Sequence, residues 1–475
     1  MGSNPETLEF RREHDLLGER DVPADAYYGI QTLRAAENFH LADVPISHFP
    51  ELVRALAMVK KAAAIANHAC GHLPEGKAAA IEKACDDIIA GKLDHAFVVD
   101  VFQGGAGTSS NMNMNEVIAN RALEYLGHAR GQYRFLHPND DVNMSQSTND
   151  VYPTAIRLAI ILSRHEVSEG LGRLISAFTL KAEEFAGIVK IGRTQLQDAV
   201  PISLGQEFSA FATTLREDQA RLEEGAALFR EINLGGTAVG TRLNADPHYA
   251  ARAVAELSRI SGVDFVQSEN LLEESWDTGA YVLFSSVLKR IAVKVSKIAN
   301  DLRLLASGPR AGIGEIRLPP MQPGSSIMPG KVNPVIPEAV NQVCFQVIGN
   351  DLTVTMAAEA GQLQLNAFEP VIIYNILTSM RLIARAMNHL AQRCVDGISA
   401  NEVQCRRGAE ASVALATALI PLIGYERAVE IAKAALERGM SVLEVAAQAG
   451  LDPLVLARLL DPLAMTGAAA RSKPE

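Results

Sequence analysis

Four polar side chains with complementary chemistry lie within one short stretch, residues 324–334. Ser325 and Ser326 carry hydroxyls that can donate or accept protons. Lys331 can hold a carboxylate by charge, and Asn333 can orient one by hydrogen bonding. Glycines at the start and in the middle of the stretch permit the backbone changes of a loop that closes over a ligand. A surface turn is the plainer interpretation, but it leaves the combination of hydroxyls, cation and carboxamide unexplained.

Three further segments carry polar side chains of the same kinds. Residues 102–113 contain glycines, which let a backbone approach a ligand, followed by the hydroxyls of Thr108 and Ser109. A phosphate-binding loop is the rival interpretation there, but the Gly-Lys-Ser/Thr ending is absent. Residues 137–150 are rich in helix-capping side chains, and a capped helix start presents amides and a positive dipole end to an anion. Residues 192–201, taken alone, indicate only a polar turn between helices.

Long helices are predicted to position these segments. The apolar residues of 284–305 recur at alternating intervals of four and three, which is typical of a helix packed at a shallow angle against its neighbours. The same reasoning predicts helices at 154–186, 203–231 and 367–395. We expect a mainly α fold with three domains: an N-terminal domain at 1–145, a central helical bundle at 146–402 that carries the 324–334 loop, and a small C-terminal helical domain at 403–475.

Composition and charge exclude several classes of protein. The net charge is −11, which argues against a nucleic-acid binder but allows a pocket for a small anion. The sequence has no apolar run long enough to span a membrane, and residues 1–12 contain no apolar export signal. The five cysteines are scattered, as expected for reduced thiols in the cytoplasm. Because no His-Glu-x-x-His motif or Cys/His cluster occurs, we predict neither a metal site nor a cofactor.

The string from Ser325 to Pro334 resembles the signature loop of the fumarase/aspartase superfamily. The three other polar segments follow in the superfamily's order, so the resemblance covers nearly the whole chain. Members of this superfamily are homotetrameric lyases that eliminate ammonia, water or a larger group and usually release fumarate. Within the superfamily, Gln195, Thr148 and the segment 335–338 resemble the aspartase branch more closely than the fumarases.

The resemblance implies a reversible deamination of L-aspartate to fumarate and ammonia, through removal of a Cβ proton and an aci-carboxylate intermediate. The superfamily's base is the first serine of the loop, here Ser325. The resemblance also implies the remaining binding groups: donors for the charged carboxylate from Thr108, Ser147, Thr148 and Ser326; partners of the other carboxylate in Lys331, Asn333 and Thr194; and contacts to the amine from Asn149, together with Gln195. It further implies a homotetramer in which three chains contribute to each active site.

Two other functions stay open at this point. A fumarate hydratase has the same fold and uses water as the leaving group. A non-catalytic structural protein of the same fold is a more remote alternative, against which the intact Ser325, Lys331 and Asn333 argue. Gln195 cannot donate a proton as a general acid, and ammonia needs such an acid less than hydroxide does. The glutamine therefore favours amine elimination.

Overall fold

The structure is a computed structural model that describes residues 9–467. Most of these residues are helical, as the sequence predicts, and the strands form four small two-stranded sheets in the described part. The segment 1–12, for which no export signal is expected, lies mostly outside the described residues. Between residues 9 and 467, no helix is both long and apolar enough to cross a membrane.

The five longest helices have 24 residues or more, and four of them confirm the predicted segments 154–186, 203–231, 284–305 and 367–395. In chain order the helices are α1 (Ile30–Asn38), α2 (Pro50–Ala69), α3 (Glu75–Ile89), α4 (Thr108–Tyr125), α5 (Thr148–Glu184), α6 (Leu204–Ala227), α7 (Tyr249–Ser261), α8 (Leu271–Glu274), α9 (Gly279–Leu305), α10 (Val335–Glu359), α11 (Glu369–Arg393), α12 (Glu402–Ala411), α13 (Ile420–Ile423), α14 (Tyr425–Arg438), α15 (Val442–Gln448), α16 (Pro453–Leu459) and α17 (Pro462–Met465). The long ones are α5, α6, α9, α10 and α11.

The strands are short and pair locally. They are β1 (Phe10–Asp15), β2 (Gly18–Pro23), β3 (Val189–Thr194), β4 (Gln197–Ser203), β5 (Glu231–Ile232), β6 (Val266–Gln267), β7 (Ile316–Arg317) and β8 (Ser399–Ala400). The pairs β1–β2, β3–β4 and β7–β8 are antiparallel, and β5–β6 is parallel.

The described chain divides into two compact units. The first unit comprises the residues up to 167 together with 221–289 and 347–381. Its helix α2 packs against α3 and α7 and is buried on most of its surface, because alanines and branched apolar residues fill nearly every position. The only charged side chain buried along α2 is Lys60. Helix α4 begins after Gly107, where a Cβ would lie 2.4 Å from the ring of Tyr152, so only glycine fits there.

The second unit comprises residues 168–220 and 290–346, and those from 382 onward. Phe178 of α5 packs edge to face against Phe208 and Phe211 of α6. Towards the C-terminus, apolar residues between 415 and 460 form a cluster of their own from α14, α15, α16 and the turn before α13. The division into domains at 145/146 and 402/403 stays a prediction.

Candidate active site

In the first unit, the polar segment before α5 is a helix N-terminus, which confirms that interpretation of residues 137–150. The Oγ of Ser147 accepts the backbone N–H of Asn149 at 3.2 Å. In return, Oδ1 of Asp150 accepts the backbone N–H of Ser147 at 2.9 Å. This reciprocal arrangement is a helix-capping pair, and it fixes the backbone of Ser147, Thr148 and Asn149.

A second loop holds the same helix start in place. The other carboxylate oxygen of Asp150 accepts the backbone N–H groups of Gly235 and Thr237, each at 3.0 Å. The side-chain nitrogen of Asn149 donates to the carbonyl of Ala238 at 2.8 Å. Burial raises the pKa of Asp150 to about 6, although the backbone amides and the charge of Lys60 act to lower it. The helix start is therefore braced by a turn of the chain that is distant in sequence.

Behind Thr148 lies a cluster of carboxamides around a buried cation. The ammonium of Lys60 donates to Oδ1 of Asn143 at 2.8 Å and to Oε1 of Gln146 at 2.9 Å. The side-chain nitrogen of Asn111 donates to Oγ1 of Thr148 at 3.0 Å and to Oδ1 of Asn143 at 3.2 Å. Burial lowers the pKa of Lys60 to about 7, against the raising effect of Asp150 and Cys85.

Thr108 is the first residue of α4 and belongs to the same unit. Its side chain is exposed, and its hydroxyl donates to the carbonyl of Gly105 at 2.7 Å. Gly105 has a φ of +86°, a backbone conformation that side chains other than glycine rarely adopt. The glycines of this segment therefore shape the turn that leads into the helix.

In the second unit, Thr194 and Gln195 lie at the tip of the β3–β4 hairpin. The prediction of a plain turn between helices at 192–201 is wrong. Thr194 pairs with Gln197, so Gln195 and Leu196 form a two-residue turn with φ values of +55° and +61°. Positive φ at both positions is the turn that matches the twist of a hairpin, but the sequence has neither Asn nor Gly there to signal it.

Buried ion pairs hold the base of this hairpin. Glu315, which is almost fully buried, pairs with Lys190 and with Arg193, both at 2.8 Å. Lys190 also pairs with Glu207 of α6 at 2.6 Å. These contacts come from residues far apart in sequence, which explains why the strands could not be predicted from local pattern. They fix the strand that ends at Thr194 while its tip stays exposed.

Two hydrogen bonds among three residues of the loop at 324–334 hold its two ends together. The N–H of Gly324 donates to the carbonyl of Lys331 at 2.8 Å, and the side-chain nitrogen of Asn333 donates to the carbonyl of Gly324 at 2.7 Å. A Cβ on Gly324 would lie 2.5 Å from the Lys331 oxygen, so the ring closes only with glycine. The side chain of Lys331 is exposed.

Within this loop, Ser325 occupies a distinctive position. Its Oγ accepts the backbone N–H groups of Ile327 at 3.2 Å and Met328 at 3.0 Å. Two N–H donors aimed at one hydroxyl oxygen would stabilise negative charge on that oxygen. The neighbouring Ser326 is exposed, and the apolar side chains of Ile327, Met328 and Val332 are 83%, 47% and 51% exposed.

The structure thus places the predicted site residues in two groups. Those of the first unit are Thr108, Ser147, Thr148 and Asn149; those of the second unit are Thr194, Gln195, Ser325, Ser326, Lys331 and Asn333. The supporting residues Lys60, Asn111, Asn143, Gln146 and Asp150 were not predicted. Two sequence signals could have indicated this cluster: three asparagines at alternate positions in α4, and a lysine within an alanine-rich helix. Such residues are unusual inside buried helices.

Within residues 9–467, no group of three or more His, Cys, Asp or Glu side chains is arranged to hold a metal ion. The pair His68 and His72 lies exposed at the end of α2 and just beyond it. His72 contacts Asp246 at 3.1 Å, as an ordinary surface pair would.

Comparison with protein families agrees with this arrangement of helices and loops. Residues 18–349 match the family model described as Lyase, and residues 415–467 match the model described as Fumarase C C-terminus. The chain belongs to the fumarase/aspartase superfamily of lyases.

Individual relatives match over nearly the full length. An aspartate ammonia-lyase of Pseudomonas aeruginosa is 62% identical over 95% of this chain and 96% of its own. The crystal structure of a fumarate lyase:delta crystallin from Brucella melitensis, bound to cobalt, is 71% identical with a TM-score of 0.95, covering 96% of this chain and all of that one. A class II fumarase from Schistosoma mansoni is 34% identical with a TM-score of 0.92, covering 96% of this chain and 99% of that one.

Proposed function

We propose that the chain catalyses the reversible deamination of L-aspartate to fumarate and ammonia. The curated relatives named aspartate ammonia-lyase are 53–62% identical to it, whereas the class II fumarase is 34% identical. The observation that carries the chemistry is the pair of backbone N–H groups that point at Ser325 Oγ.

The first step is removal of a proton from Cβ of aspartate by Ser325. A serine hydroxyl is a poor base at its normal pKa, so it must act as an alkoxide. The amides of Ile327 and Met328 lower the free energy of that alkoxide by donating to its oxygen. Closure of the exposed loop over the substrate excludes water and strengthens both hydrogen bonds. The proton moves from Cβ to Oγ, and the electron pair of the C–H bond passes into the adjacent carboxylate.

That carboxylate becomes the aci-carboxylate, and it needs a dense set of donors. We assign this role to Thr108, Ser147, Thr148 and Ser326. The capped start of α5 supports the assignment for Ser147 and Thr148, because a helix N-terminus favours an anion. The other carboxylate is held by Lys331, Asn333 and Thr194, whose polar groups lie on the loop and on the hairpin tip.

In the second step the Cα–N bond breaks, its electron pair leaves with nitrogen, and the double bond of fumarate forms. Asn149 is the residue we assign to the amine, with Gln195 as a further contact. The side-chain nitrogen of Asn149 already donates to Ala238, and this orients its Oδ1 as the acceptor for an ammonium group. Ammonia leaves from the protonated amine without a strong general acid.

The active enzyme is proposed to be a homotetramer in which three chains contribute to each site. Large apolar side chains on the long helices support association: Leu283 and Val293 of α9 are 50% and 51% exposed, and Phe345, Leu352 and Met356 of α10 are 61–64% exposed. Such residues on one helix are typical of a face that another subunit covers. We place the enzyme in the cytoplasm, where its free cysteines would stay reduced.

The direct test is formation of fumarate from L-aspartate by the purified chain, followed by ultraviolet absorbance. L-Malate serves as the matched substrate, because it differs only in carrying a hydroxyl in place of the amine. We expect turnover of aspartate and little or none of malate. Faster release of fumarate from malate would establish a fumarate hydratase instead, and no turnover of either would favour a structural protein.

A further inference from the structure

The carboxamide cluster behind Thr148 has a defined hydrogen-bond polarity. The side-chain nitrogen of Lys60 donates to Asn143 and Gln146, so both amides turn their side-chain oxygens towards it. Two N–H groups are enough for these contacts, so they persist whether the amine is charged or neutral. The Oδ1 of Asn143 then faces Asn111 and Asn115, each of which presents its side-chain nitrogen at 3.2 Å. Backbone carbonyls that accept from the side-chain nitrogens of Asn143 and Gln146 support the same orientation. Lys60 and these carbonyls together determine which end of each neighbouring amide faces which way.

The same orientation reaches Thr148. Because the nitrogen of Asn111 donates to Oγ1 of Thr148 at 3.0 Å, that oxygen acts as an acceptor towards the protein interior. A threonine hydroxyl has one proton, and here the proton must be directed elsewhere, which leaves it available to a ligand. If Asn111 presented its oxygen to Thr148 instead, the Thr148 hydroxyl would donate its proton to Asn111 and present only lone pairs to an anionic ligand.

This orientation of the amides lowers the stability of the folded state. Oδ1 of Asn111 and Oδ1 of Asn115 are both buried, and within the described residues neither has a hydrogen-bond partner. A buried acceptor without a partner lowers stability. If the Asn111 amide were rotated, its oxygen would face Oδ1 of Asn143, and two acceptors cannot form a hydrogen bond. The Asn111 nitrogen therefore faces Asn143 and Thr148, and the Asn111 oxygen is left without a partner.

We propose that Asn111 is a positioning residue that makes the Thr148 hydroxyl a donor to the substrate carboxylate, with its amide orientation fixed by Lys60 through Asn143. This role rests on the proposed function, because it concerns the carboxylate of an aspartate-like substrate. It predicts that the affinity for a dicarboxylate depends on a residue that does not itself touch the ligand.

The test compares Asn111→Leu with a matched control, Asn115→Leu. Asn115 lies one helical turn further along α4 and donates to the same Asn143 oxygen at the same distance, but the contact to Thr148 belongs to Asn111. The probe is succinate, a dicarboxylate without an amine, whose inhibition constant against aspartate turnover and whose calorimetric affinity are both measured.

For Asn111→Leu, succinate affinity should fall and the KM for aspartate should rise, each by about tenfold. For Asn115→Leu, both should stay within about twofold of the wild type. Equal losses in the two variants would overturn the proposal, because they would show that both asparagines only support the local fold.

A second arm separates positioning from general destabilisation. In a Thr148→Val background, Asn111→Leu should change succinate affinity by less than about twofold, since the hydroxyl on which Asn111 acts is gone. Losses that multiply would overturn the proposal. If Asn111→Leu fails to fold, Lys60→Met removes one of the groups that fix the amide orientation and should weaken succinate binding. Lys61→Met is its control, because Lys61 pairs with Asp86 instead, and equal affinities in the two lysine variants would overturn the proposal.

The two hypotheses fail in different ways. A wild-type protein without aspartate turnover would contradict the proposed function. A wild-type protein that turns over aspartate, with Asn111→Leu binding succinate as tightly as the wild type does, would contradict only the role of Asn111.

Discussion

The helix start at Ser147–Asn149 and the loop at 324–334 contribute the two halves of the predicted chemistry, but they are built in opposite ways. The helix start is half-buried and braced by carboxamides, a buried carboxylate and a second loop. The 324–334 loop is largely exposed, and the hydrogen bonds that shape it run between its own residues.

This difference in construction indicates that the two regions have different roles in catalysis. A site that binds a developing anion works best when its donors are fixed in advance, because no free energy is then needed to orient them during the reaction. A loop that admits substrate and then excludes water must move, so few of its contacts can be to the rest of the protein. Changes in the loop should therefore alter catalysis without altering stability, and changes behind the helix start should alter both.

The largest effect is expected for Ser325→Ala. Turnover should fall by about a hundred- to ten-thousandfold, the range for loss of a general base. Thermal stability and the oligomeric state should not change, since the Ser325 hydroxyl bonds only within the loop. Fumarate formation, circular dichroism and light scattering test this, with Ser176→Ala, at an exposed serine of α5, as the control. Near-normal turnover in Ser325→Ala would mean that the base lies elsewhere.

Lys331→Ala should raise the KM for aspartate by about ten- to a hundredfold, because a carboxylate loses its charged partner. The melting temperature should stay the same, because the side chain is exposed. Lys297→Ala is a suitable control, since Lys297 is an exposed lysine that pairs with Asp301 on α9. An unchanged KM for Lys331→Ala would place that lysine outside the site.

The buried side chain of Lys60 predicts a pH dependence of stability that the loop should lack. The pKa of Lys60 is lowered from 10.5 to about 7, so between these values the unfolded chain binds a proton that the folded chain does not. Stability therefore rises as pH increases from 7 to 10.5, by at most about 5 kcal/mol per chain. Between pH 7 and 10.5, the melting temperature of the wild type should rise relative to that of Lys60→Met. The same pH dependence in both proteins would contradict this prediction. Lys331→Ala should show the pH dependence of the wild type.

The smallest effect is expected for Gln195→His. The side chain is exposed at the hairpin tip, and His tolerates positive φ, so aspartate turnover should change by only about twofold. Hydration of fumarate without ammonium should remain far below native deamination, because Thr148 and residues 335–338 also differ from the fumarases. Hydration that rivals deamination would show that position 195 alone selects the leaving group.

Much of the fold could be predicted because its signals are local. The spacing of apolar residues in 284–305 matches α9, and the capping residues at 147–150 match the start of α5. The glycines and hydroxyls of 324–334 indicated a flexible polar loop from residue types alone. In each case neighbours in sequence are also neighbours in space.

The sequence by itself determined the helices, the family resemblance and the set of polar residues that could act on a dicarboxylate. Only the tertiary structure decided how those residues are supported. The β3–β4 hairpin is held by ion pairs between Lys190, Arg193 and Glu315, and the hydroxyl of Thr148 accepts a hydrogen bond from Asn111, which lies on another helix. Polarity and burial are set by contacts between distant parts of the chain, because a buried polar group must find its partner wherever the fold provides one.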